Sequence, residues 1–487
     1  MQRQETRFSR IFCQLFAALI AGTLPAPSAW AALAPASRPA PTPARLPPPR
    51  RAPPQPVIAP AAVPTPQPVA VNPVVIQAIA EQIRKQAGGK LKPVYAARNF
   101  APLWAASGTI GPEAGVLISY LNTAELDGLR PSSYKAGDLQ KAVDESRSGD
   151  PKKIARAEVQ LSRALSRYAV DLRKLPKRDM SGMVYADPAL RPQKPREEAA
   201  LRGGALATSF PNYISNMAWM SPHYLRMRTL LWQARAQGKP EDFVARVRLN
   251  LERARFLPGP WTHHVLVDAA TGRLWYYQAG RQAGTMRVVV GKVASPTPML
   301  AGMLHYAIVN PYWNLPTDLA QTNTAPKVLA GRTLKSMNME VLSDWTDNAH
   351  PLDPATIDWH AVAAGTLEVR VRQLPGPFNS MGKVKYLFPN ELGIYLHDTP
   401  ERELLTKEDR HFSNGCIRLE DAAGLGQWLL RRPLRAIDSN QPEQVVPLPL
   451  PMPVYITYFT ATEGADGGVT LVNDVYGRDG PVAVAAR

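Results

Sequence analysis

The sequence predicts an α+β protein in which a helical N-terminal region precedes a mainly β domain. Between residues 74 and 256, apolar residues recur in several segments with the spacing of amphipathic helices. After Trp261 the apolar period changes to two, which indicates strands with alternating faces. Residues 257–260, Leu-Pro-Gly-Pro, separate the two patterns, because two prolines make a helix costly to continue. We therefore expect a helical scaffold domain at residues 74–258 and a second domain at residues 259–487.

The first 31 residues have the features of a signal peptide. Three arginines precede an apolar stretch at residues 11–23, and Ala29-Trp-Ala31 offers small residues for cleavage. Residues 32–73 are mainly Pro, Ala, Val, Gln and Arg, a composition that predicts a disordered linker with polyproline character. We expect an exported protein of the periplasm or cell envelope with no membrane span after cleavage. A retained signal anchor is the alternative.

Three segments of the first region carry clear helical signals. An apolar helical period runs from residue 74 to the Gly88-Gly89 pair, and Asp150-Pro151 opens a long amphipathic helix. Residues 241–256 predict another helix. Residues 180–212 are rich in Gly, Pro and charge, so we expect an irregular connection there.

The second domain is predicted to contain many strands and one helix. Residues 264–268 and 273–277 flank Ala-Thr-Gly and predict a hairpin, and the helix is expected at residues 421–430. Residues 317–364 lack clear periodicity and are far longer than an ordinary connection, so we expect a long lid insertion over a site. The other strand candidates are residues 286–290, 304–309, 367–372, 384–388, 393–397, 454–459 and 469–475.

Charge and cysteine content narrow the possible functions. The formal net charge of +17 becomes +15 once the leader takes away three arginines and one glutamate. The basic residues are scattered among acidic ones with no aromatic platform, so we expect no nucleic-acid partner. Because Cys13 lies in the leader, the mature protein would hold Cys416 alone. An unpaired cysteine in an exported protein is expected to be either buried and inert or retained for its reactivity.

His397 and Cys416 are candidate partners for acyl transfer. Tyr395 and His397 alternate along a predicted strand and would point to the same face. A nearby imidazole can accept the thiol proton, and the resulting ion pair lowers a cysteine pKa well below its free value of about 8.5. Gly415 lets the amides around Asn414 and Cys416 approach a developing oxyanion. The spacing of the two residues alone is equally consistent with a purely structural role.

The strings around these residues resemble the active-site signature of the L,D-transpeptidases, the family with the YkuD-type catalytic domain. His397-Asp-Thr and Ser413-Asn-Gly-Cys416-Ile-Arg-Leu carry this likeness. It implies that the second domain is the YkuD-like catalytic domain. A likeness to the long, YcbB-like branch and its helical scaffold also covers residues 95–104, 126–134, 310–316, 372–377 and 382–390.

The resemblance implies a cysteine-dependent acyltransferase that joins peptide stems of peptidoglycan. Cys416 would attack diaminopimelate, the third residue of a donor tetrapeptide, and the thioester would pass to an acceptor stem to give a 3-3 cross-link. His397 would move the protons, and a backbone carbonyl that falls on Asp398 would orient its ring. The Gly415 and Cys416 amides would form the oxyanion hole. Neither a metal nor an organic cofactor is implied, and envelope proteins are possible further partners.

Two features depart from the family pattern. The histidine common before the Gly-Cys pair is Asn414 here, so no imidazole role is assigned to that position. Relatives often insert a small peptidoglycan-binding module before the catalytic domain, and the compact run at residues 224–257 leaves no room for one.

Five residues are candidate substrate contacts, and most have a structural alternative. Arg418 would bind a stem carboxylate or form a surface ion pair, and Tyr395 would line the site or pack in the core. Ser413 would position the thiol or only stabilise the turn. Asn414 would donate hydrogen bonds, and Trp313 would shape the groove or contribute to packing.

Rival functions differ in what they require. A zinc hydrolase could recruit His397, His411 and Cys416, but the sequence lacks paired-ligand spacing. A non-catalytic peptidoglycan-binding scaffold would not need the thiol. Within the same acyl-enzyme chemistry, water, a free D-amino acid or a protein amine could replace the acceptor stem.

Overall fold

The predicted α+β arrangement is confirmed, with a helical N-terminal region followed by a mostly β domain. The computed structural model describes residues 72–174, 182–434, 441–464 and 466–480. Residues 1–71 lie outside this set, so the signal peptide and nearly all of the linker stay predictions. The division at residue 258 also stays a prediction; the last helix of the first region ends at Arg255 and the next strand begins at His264. No helix within the described residues combines the length and apolarity needed to cross a bilayer.

Local sequence signals set where the predicted helices begin. The Asn72 side chain accepts a hydrogen bond from Val74 N at 3.0 Å, and Asp150 Oδ1 accepts one from Lys152 N at 2.9 Å. A proline follows each cap, with its backbone angle already suited to a helix. The helices of this region are α1 (Pro73–Gln86), α2 (Leu91–Ala96), α3 (Glu113–Asn122), α4 (Ala136–Ser146), α5 (Pro151–Leu172), α6 (Ala199–Leu206), α7 (Phe210–Ser215), α8 (Pro222–Ala236) and α9 (Glu241–Arg255).

The expected irregular connection at residues 180–212 is wrong in its C-terminal part. Residues 180 and 181 lie outside the described residues, and residues 182–198 hold only a two-residue strand and one short 3-10 turn, whereas helix α6 and the start of α7 occupy much of residues 199–212. A Cβ atom at Gly204 in α6 would lie 2.8 Å from the Phe210 ring in α7. The lack of a side chain therefore allows the two helices to pack closely. The glycines thus serve close helix contact, which composition alone cannot distinguish from a loop.

Ten of the described strands form a sheet that closes on itself. Its order is β1-β5-β10-β11-β13-β4-β3-β2-β14, with β12 beside β4, and β14 also pairs with β5. The predicted hairpin is confirmed, since the second and third strands pair antiparallel with Val265 opposite Tyr276. The strands are β1 (Val184–Tyr185), β2 (His264–Asp268), β3 (Arg273–Gln278), β4 (Arg281–Gly291), β5 (Leu300–Val309), β6 (Trp313–Asn314), β7 (Met339–Leu342), β8 (Pro351–Leu352), β9 (Arg370–Gln373), β10 (Val384–Leu387), β11 (Leu396–His397), β12 (His411–Ser413), β13 (Ile417–Leu419), β14 (Gln444–Thr457), β15 (Ala461–Glu463) and β16 (Val469–Leu471).

The segment between β6 and β9 is structured and has a core of its own. Strands β6, β9, β7 and β8 form a separate sheet beside α10 (Thr317–Leu319), α11 (Ala325–Leu329) and α12 (Trp359–Ala363). Buried Val341, Trp359 and Val371 belong to its apolar cluster. Its elements are too short to show a period in the sequence. Its action as a lid stays a prediction.

Helix α9 is joined by buried polar contacts to residues that flank β15 and β16. Asn250 Nδ2 on α9 donates to Thr460 Oγ1 at 2.9 Å, and Arg253 Nη1 donates to Asp479 Oδ1 at 2.8 Å. The predicted helix at residues 421–430 is confirmed as α13 (Ala422–Leu430), capped by the Asp421 side chain at Gly424 N. These contacts tie the helical region and the C-terminal strands into one compact unit.

Candidate active site

Adjacent strands bring Tyr395, His397 and Cys416 together. β11 and β13 run parallel with His397 opposite Arg418, and Ile417 N donates to Tyr395 O at 3.0 Å. The centroids of the Tyr395 and His397 rings lie 5.8 Å apart. The Cys416 Sγ donates to Gly393 O at 3.6 Å. These positions place an imidazole, a phenol and a thiol in one neighbourhood.

β11 is shorter than the predicted strand at residues 393–397. Asn390 explains the difference, because its side chain binds both backbone groups of Ile394: Nδ2 donates to Ile394 O at 2.7 Å and Oδ1 accepts from Ile394 N at 3.0 Å. These groups are therefore satisfied without a strand partner. The loop that results carries Gly393, whose carbonyl contacts the thiol.

His397 is held in one tautomer by its neighbour. Its Nδ1 lies 2.6 Å from the carbonyl oxygen of Asp398, which can only accept, so Nδ1 carries the ring proton and Nε2 is left as the basic atom. The Asp398 carboxylate has other partners, since Arg402 Nη2 donates to it at 2.7 Å and Lys383 N at 2.9 Å. Burial, followed by the charges of Arg418 and Lys385, lowers the pKa of His397 to about 3.

The turn before Cys416 is fixed by Ser413. Its Oγ donates to Cys416 O at 2.6 Å and accepts from Gly415 N at 3.2 Å. Gly415 has a φ of +111°, and a Cβ there would come within 3.3 Å of the Ile394 side chain, so the turn requires glycine. Of the two amides expected to face an oxyanion, the one on Gly415 is thus already engaged. Among the described residues the Cys416 amide has no acceptor.

A second layer of residues, absent from the sequence predictions, supports this turn. Thr297 Oγ1 donates to Gly415 O at 2.7 Å and accepts from Gly291 N at 2.8 Å. Arg478 Nη2 then donates to Thr297 O at 2.7 Å.

A further residue absent from the sequence predictions lies beside the histidine. Lys385, opposite His397 on β10, forms an ion pair with Glu443 at 2.8 Å. No motif connects these residues, because they lie far apart in the chain and meet only through the folded sheet.

The surroundings of Cys416 shift the pKa of its thiol in the direction opposite to that expected for a thiolate–imidazolium pair. Cys416 is half-buried, and burial raises the pKa of its thiol to about 11 although hydrogen bonds from Tyr395 and the charge of Arg418 oppose the shift. The pKa of His397 is lowered as well, so both shifts favour the neutral forms. Burial disfavours each charged form; around His397 the charges of Arg418 and Lys385 add to this effect, whereas around Cys416 the neighbours oppose it only in part.

Alkylation of Cys416 should report this raised pKa. In a Cys13→Ser background, we expect the rate with iodoacetamide to climb about tenfold per pH unit from pH 7 to 10, because only the thiolate reacts and its population grows with pH. Mass spectrometry of the Cys416 peptide measures the rate, with Cys416→Ser giving the background. A plateau reached below pH 8 would contradict the neutral resting thiol.

The candidate substrate contacts have different surroundings. Arg418 Nη1 forms an ion pair with Glu401, while its Nε is buried without a partner among the described residues. The surface ion pair considered for Arg418 is therefore present. The Asn414 side chain is exposed at the turn. Trp313 lies in β6 opposite Gln373 and packs against the apolar cluster of the insertion, in line with its structural alternative.

His411 has a structural environment of its own. Its Nδ1 lies 2.5 Å from Asp409 Oδ1 and its Nε2 lies 3.0 Å from Ala269 O. Its ring also packs edge-on against Tyr476, with centroids 5.2 Å apart. His411 thus links β12 to the loop that follows β2.

Comparisons with known proteins agree with this description. Residues 262–456 match the model of the L,D-transpeptidase catalytic domain named YkuD, and residues 89–231 match the model of a Scaffold domain. A curated Haemophilus influenzae protein named "Putative L,D-transpeptidase" is 26% identical over 404 residues, which cover 81% of this chain and 79% of that protein.

Solved structures found by the same comparisons are more distant. An L,D-transpeptidase from Mycobacterium smegmatis has 13% identity and a TM-score of 0.19, with 40% of this chain and 59% of that chain covered. A mutant Enterococcus faecium L,D-transpeptidase has 13% identity and a TM-score of 0.18, with 42% and 52% covered. The likeness therefore rests on the family models and the curated relative: residues 262–456 match the L,D-transpeptidase catalytic domain of the YkuD kind, behind a region that matches a Scaffold domain.

Proposed function

We propose that this protein is a peptidoglycan L,D-transpeptidase that forms 3-3 cross-links between diaminopimelate residues through a thioester on Cys416. The observation that carries the proposal is that a free cysteine directly precedes β13, while β11, the strand paired with β13, carries a histidine whose Nε2 is left as a base. The family acts on peptidoglycan stems, and we place the enzyme in the periplasm or cell envelope. No metal or organic cofactor enters the steps below.

Acylation begins with attack of Cys416 Sγ on the carbonyl of the third residue of a donor tetrapeptide. Because thiol and imidazole are both neutral at rest, the thiol proton moves to His397 Nε2 as the carbon–sulfur bond forms, not before. The negative charge then lies on the former carbonyl oxygen, where the unengaged Cys416 amide can donate to it. Collapse expels D-alanine, whose amine takes the proton from His397 and leaves the thioester.

Deacylation repeats these steps with an amine as the nucleophile. The side-chain amine of diaminopimelate on an acceptor stem loses a proton to His397 and attacks the thioester carbonyl. The tetrahedral intermediate expels the Cys416 thiolate, which recovers the proton from the ring, and an amide joins the two third residues. Asp398 O keeps the ring in the required tautomer throughout by accepting from Nδ1.

The remaining site residues support these steps. The Tyr395 hydroxyl stabilises the sulfur as it gains or regains charge, and Ser413 holds the turn that presents it. Since Gly415 N donates to Ser413 Oγ, the Gly415 amide can contribute to an oxyanion hole only if that bond opens on substrate binding. Arg418 can bind a stem carboxylate if it leaves Glu401, and Asn414 and Trp313 stay candidate contacts.

Product analysis with defined donors tests the proposal. A disaccharide tetrapeptide should yield 3-3 dimers and one D-alanine per cross-link. A pentapeptide donor should yield no dimer linked through its fourth residue and no release of a single D-alanine, because the scissile bond follows the third residue. If tripeptide is the only product, water is the acceptor. If the residue at the fourth position is exchanged, a free D-amino acid is the acceptor. Dimers linked through the fourth residue would contradict L,D chemistry, and binding without any new product would favour a non-catalytic scaffold.

A further inference from the structure

A cavity of about 280 Å³ lies between helix α8 and the hairpin of β2 and β3. None of the residues proposed above for acyl transfer lines it. Its walls carry the side chains of Arg226, Arg273 and Arg410, together with His223 and Asp268. This concentration of guanidinium groups around one small volume is the feature that the transpeptidase mechanism does not use.

The three arginines have no carboxylate partners within the described residues. Arg226 Nη2 donates to Thr462 Oγ1 at 3.1 Å, and Arg273 Nε donates to Thr285 Oγ1 at 3.0 Å. Arg410 donates to backbone carbonyls, among them Thr271 O at 2.5 Å. Neutral oxygens position these cations but do not neutralise them. Burial, followed by the charges of Arg287 and Arg273, lowers the pKa of Arg410, as expected where cations crowd together.

His223 adds an unpartnered buried polar atom to the same wall. The residue is 5% exposed, and its Nδ1 has no hydrogen-bond partner in the part of the chain that the structure describes. Its Nε2 lies 3.0 Å from the Tyr277 hydroxyl. When that hydroxyl donates to Nε2, the proton of the neutral ring lies on Nδ1 and lacks an acceptor. A ligand oxygen in the cavity would satisfy it.

Asp268 is the acidic residue among those that line the cavity, and its carboxylate accepts hydrogen bonds from other groups of the protein. Thr271 Oγ1 donates to its Oδ2 at 2.5 Å, and Phe459 N and Ala270 N donate to Oδ1 at 2.8 and 3.1 Å. The carboxylate is therefore held by the β2–β3 turn and not by the arginines. Three guanidinium groups outnumber it, so the walls favour an anion.

We propose that this cavity is a binding site for a phosphate group, either free phosphate or the phosphate of a small phosphorylated headgroup. Guanidinium groups match phosphate oxygens with paired hydrogen bonds, and a tetrahedral ion can meet donors from α8, β3 and the Arg410 loop at once. The site would lie where the helical region packs on the β region, so a bound phosphate would stabilise that contact.

Calorimetric titration of the full chain with inorganic phosphate, in chloride buffer of matched ionic strength, tests the proposal. We expect saturable binding at one site, weakened about tenfold or more by Arg226→Gln and by Arg273→Gln, because each removes a charged hydrogen bond to the ligand. Arg281→Gln is the matched control: this exposed arginine sits on β4, outside the cavity, and should bind phosphate like the wild type. Thermal unfolding of each variant checks folding.

Three results would overturn the site. These are no saturable binding above chloride, equal weakening by Arg281→Gln, or tighter binding of succinate than of phosphate. Glycerol 3-phosphate distinguishes the two sources, since tighter binding than inorganic phosphate points to a headgroup and equal binding to the free ion. The readout does not involve peptide stems, so failure here leaves the transpeptidase proposal intact.

Discussion

Replacement of Cys416 by alanine is expected to abolish 3-3 cross-linking, lowering the rate by roughly four orders of magnitude or more, as for other enzymes that lose their nucleophile. No other described residue offers a free thiol to the substrate. The fold should survive, because the side chain is small and half-buried, and we expect the free energy of unfolding to change by less than about 1 kcal/mol. Dimer formation from tetrapeptide, followed by chromatography, measures the loss. Covalent labelling by a carbapenem should disappear with it.

A control in the same region separates chemistry from local disturbance. Glu408→Ala alters an exposed side chain in the loop before β12 and should retain wild-type cross-linking. Cys416→Ser keeps the shape of the turn but replaces sulfur with a poorer nucleophile, so it should behave like Cys416→Ala. Cross-linking retained in both cysteine variants would rule out a thioester.

Asp127→Ala is expected to produce a large loss of stability, about 3–5 kcal/mol, in the helical region. Asp127 is 2% exposed and accepts from Tyr168 and Tyr224 hydroxyls at 2.7 and 2.9 Å, and its Oδ1 lies 3.0 Å from Arg228 Nε. Burial raises the pKa of Asp127 against the charge of Arg228. An intact buried ion pair generally contributes little net stability, because desolvation offsets the attraction of the charges. Removing one partner leaves a buried guanidinium without a counter-charge.

Chemical denaturation measures the effect of this substitution. Asp138→Ala, at an exposed carboxylate on α4, is the control and should change the free energy of unfolding by less than about 0.5 kcal/mol. A loss below about 1 kcal/mol for Asp127→Ala would show that Arg228 finds other partners. Arg228 Nη2 already donates to Thr123 O at 3.0 Å, so the measured loss shows whether such neutral acceptors can replace the Asp127 carboxylate.

Features encoded locally could be predicted from the sequence. Helix α5 begins where Asp150-Pro151 supplies a cap and a preset first turn, and the β2–β3 hairpin follows an alternating pattern around Ala-Thr-Gly. The insertion is different, because elements as short as β7 show no period and are stabilised by a core assembled from both ends of the segment. A glycine such as Gly204 can indicate either a loop or a close contact between helices, and the sequence alone does not distinguish the two.

The same distinction applies to the candidate site. The motifs around His397 and Cys416 predict the reacting groups that we propose, and the resemblance to the L,D-transpeptidases predicts the contact between the His397 ring and the carbonyl of Asp398. Thr297 and Lys385 were missed because their relation to the site depends on strand pairing over long separations. The direction of the Cys416 pKa shift was predicted wrongly, since burial depends on the whole fold whereas a charge partner can be guessed from a motif.

The most direct measurement of the central claim is the mass of the enzyme quenched in acid during turnover of a tetrapeptide donor. We predict one adduct with the mass of the donor minus D-alanine, and peptide mapping should place it on Cys416. It should be sensitive to hydroxylamine, as thioesters are. An adduct on another residue, or turnover without any covalent species in the wild type and undiminished in Cys416→Ala, would contradict the account.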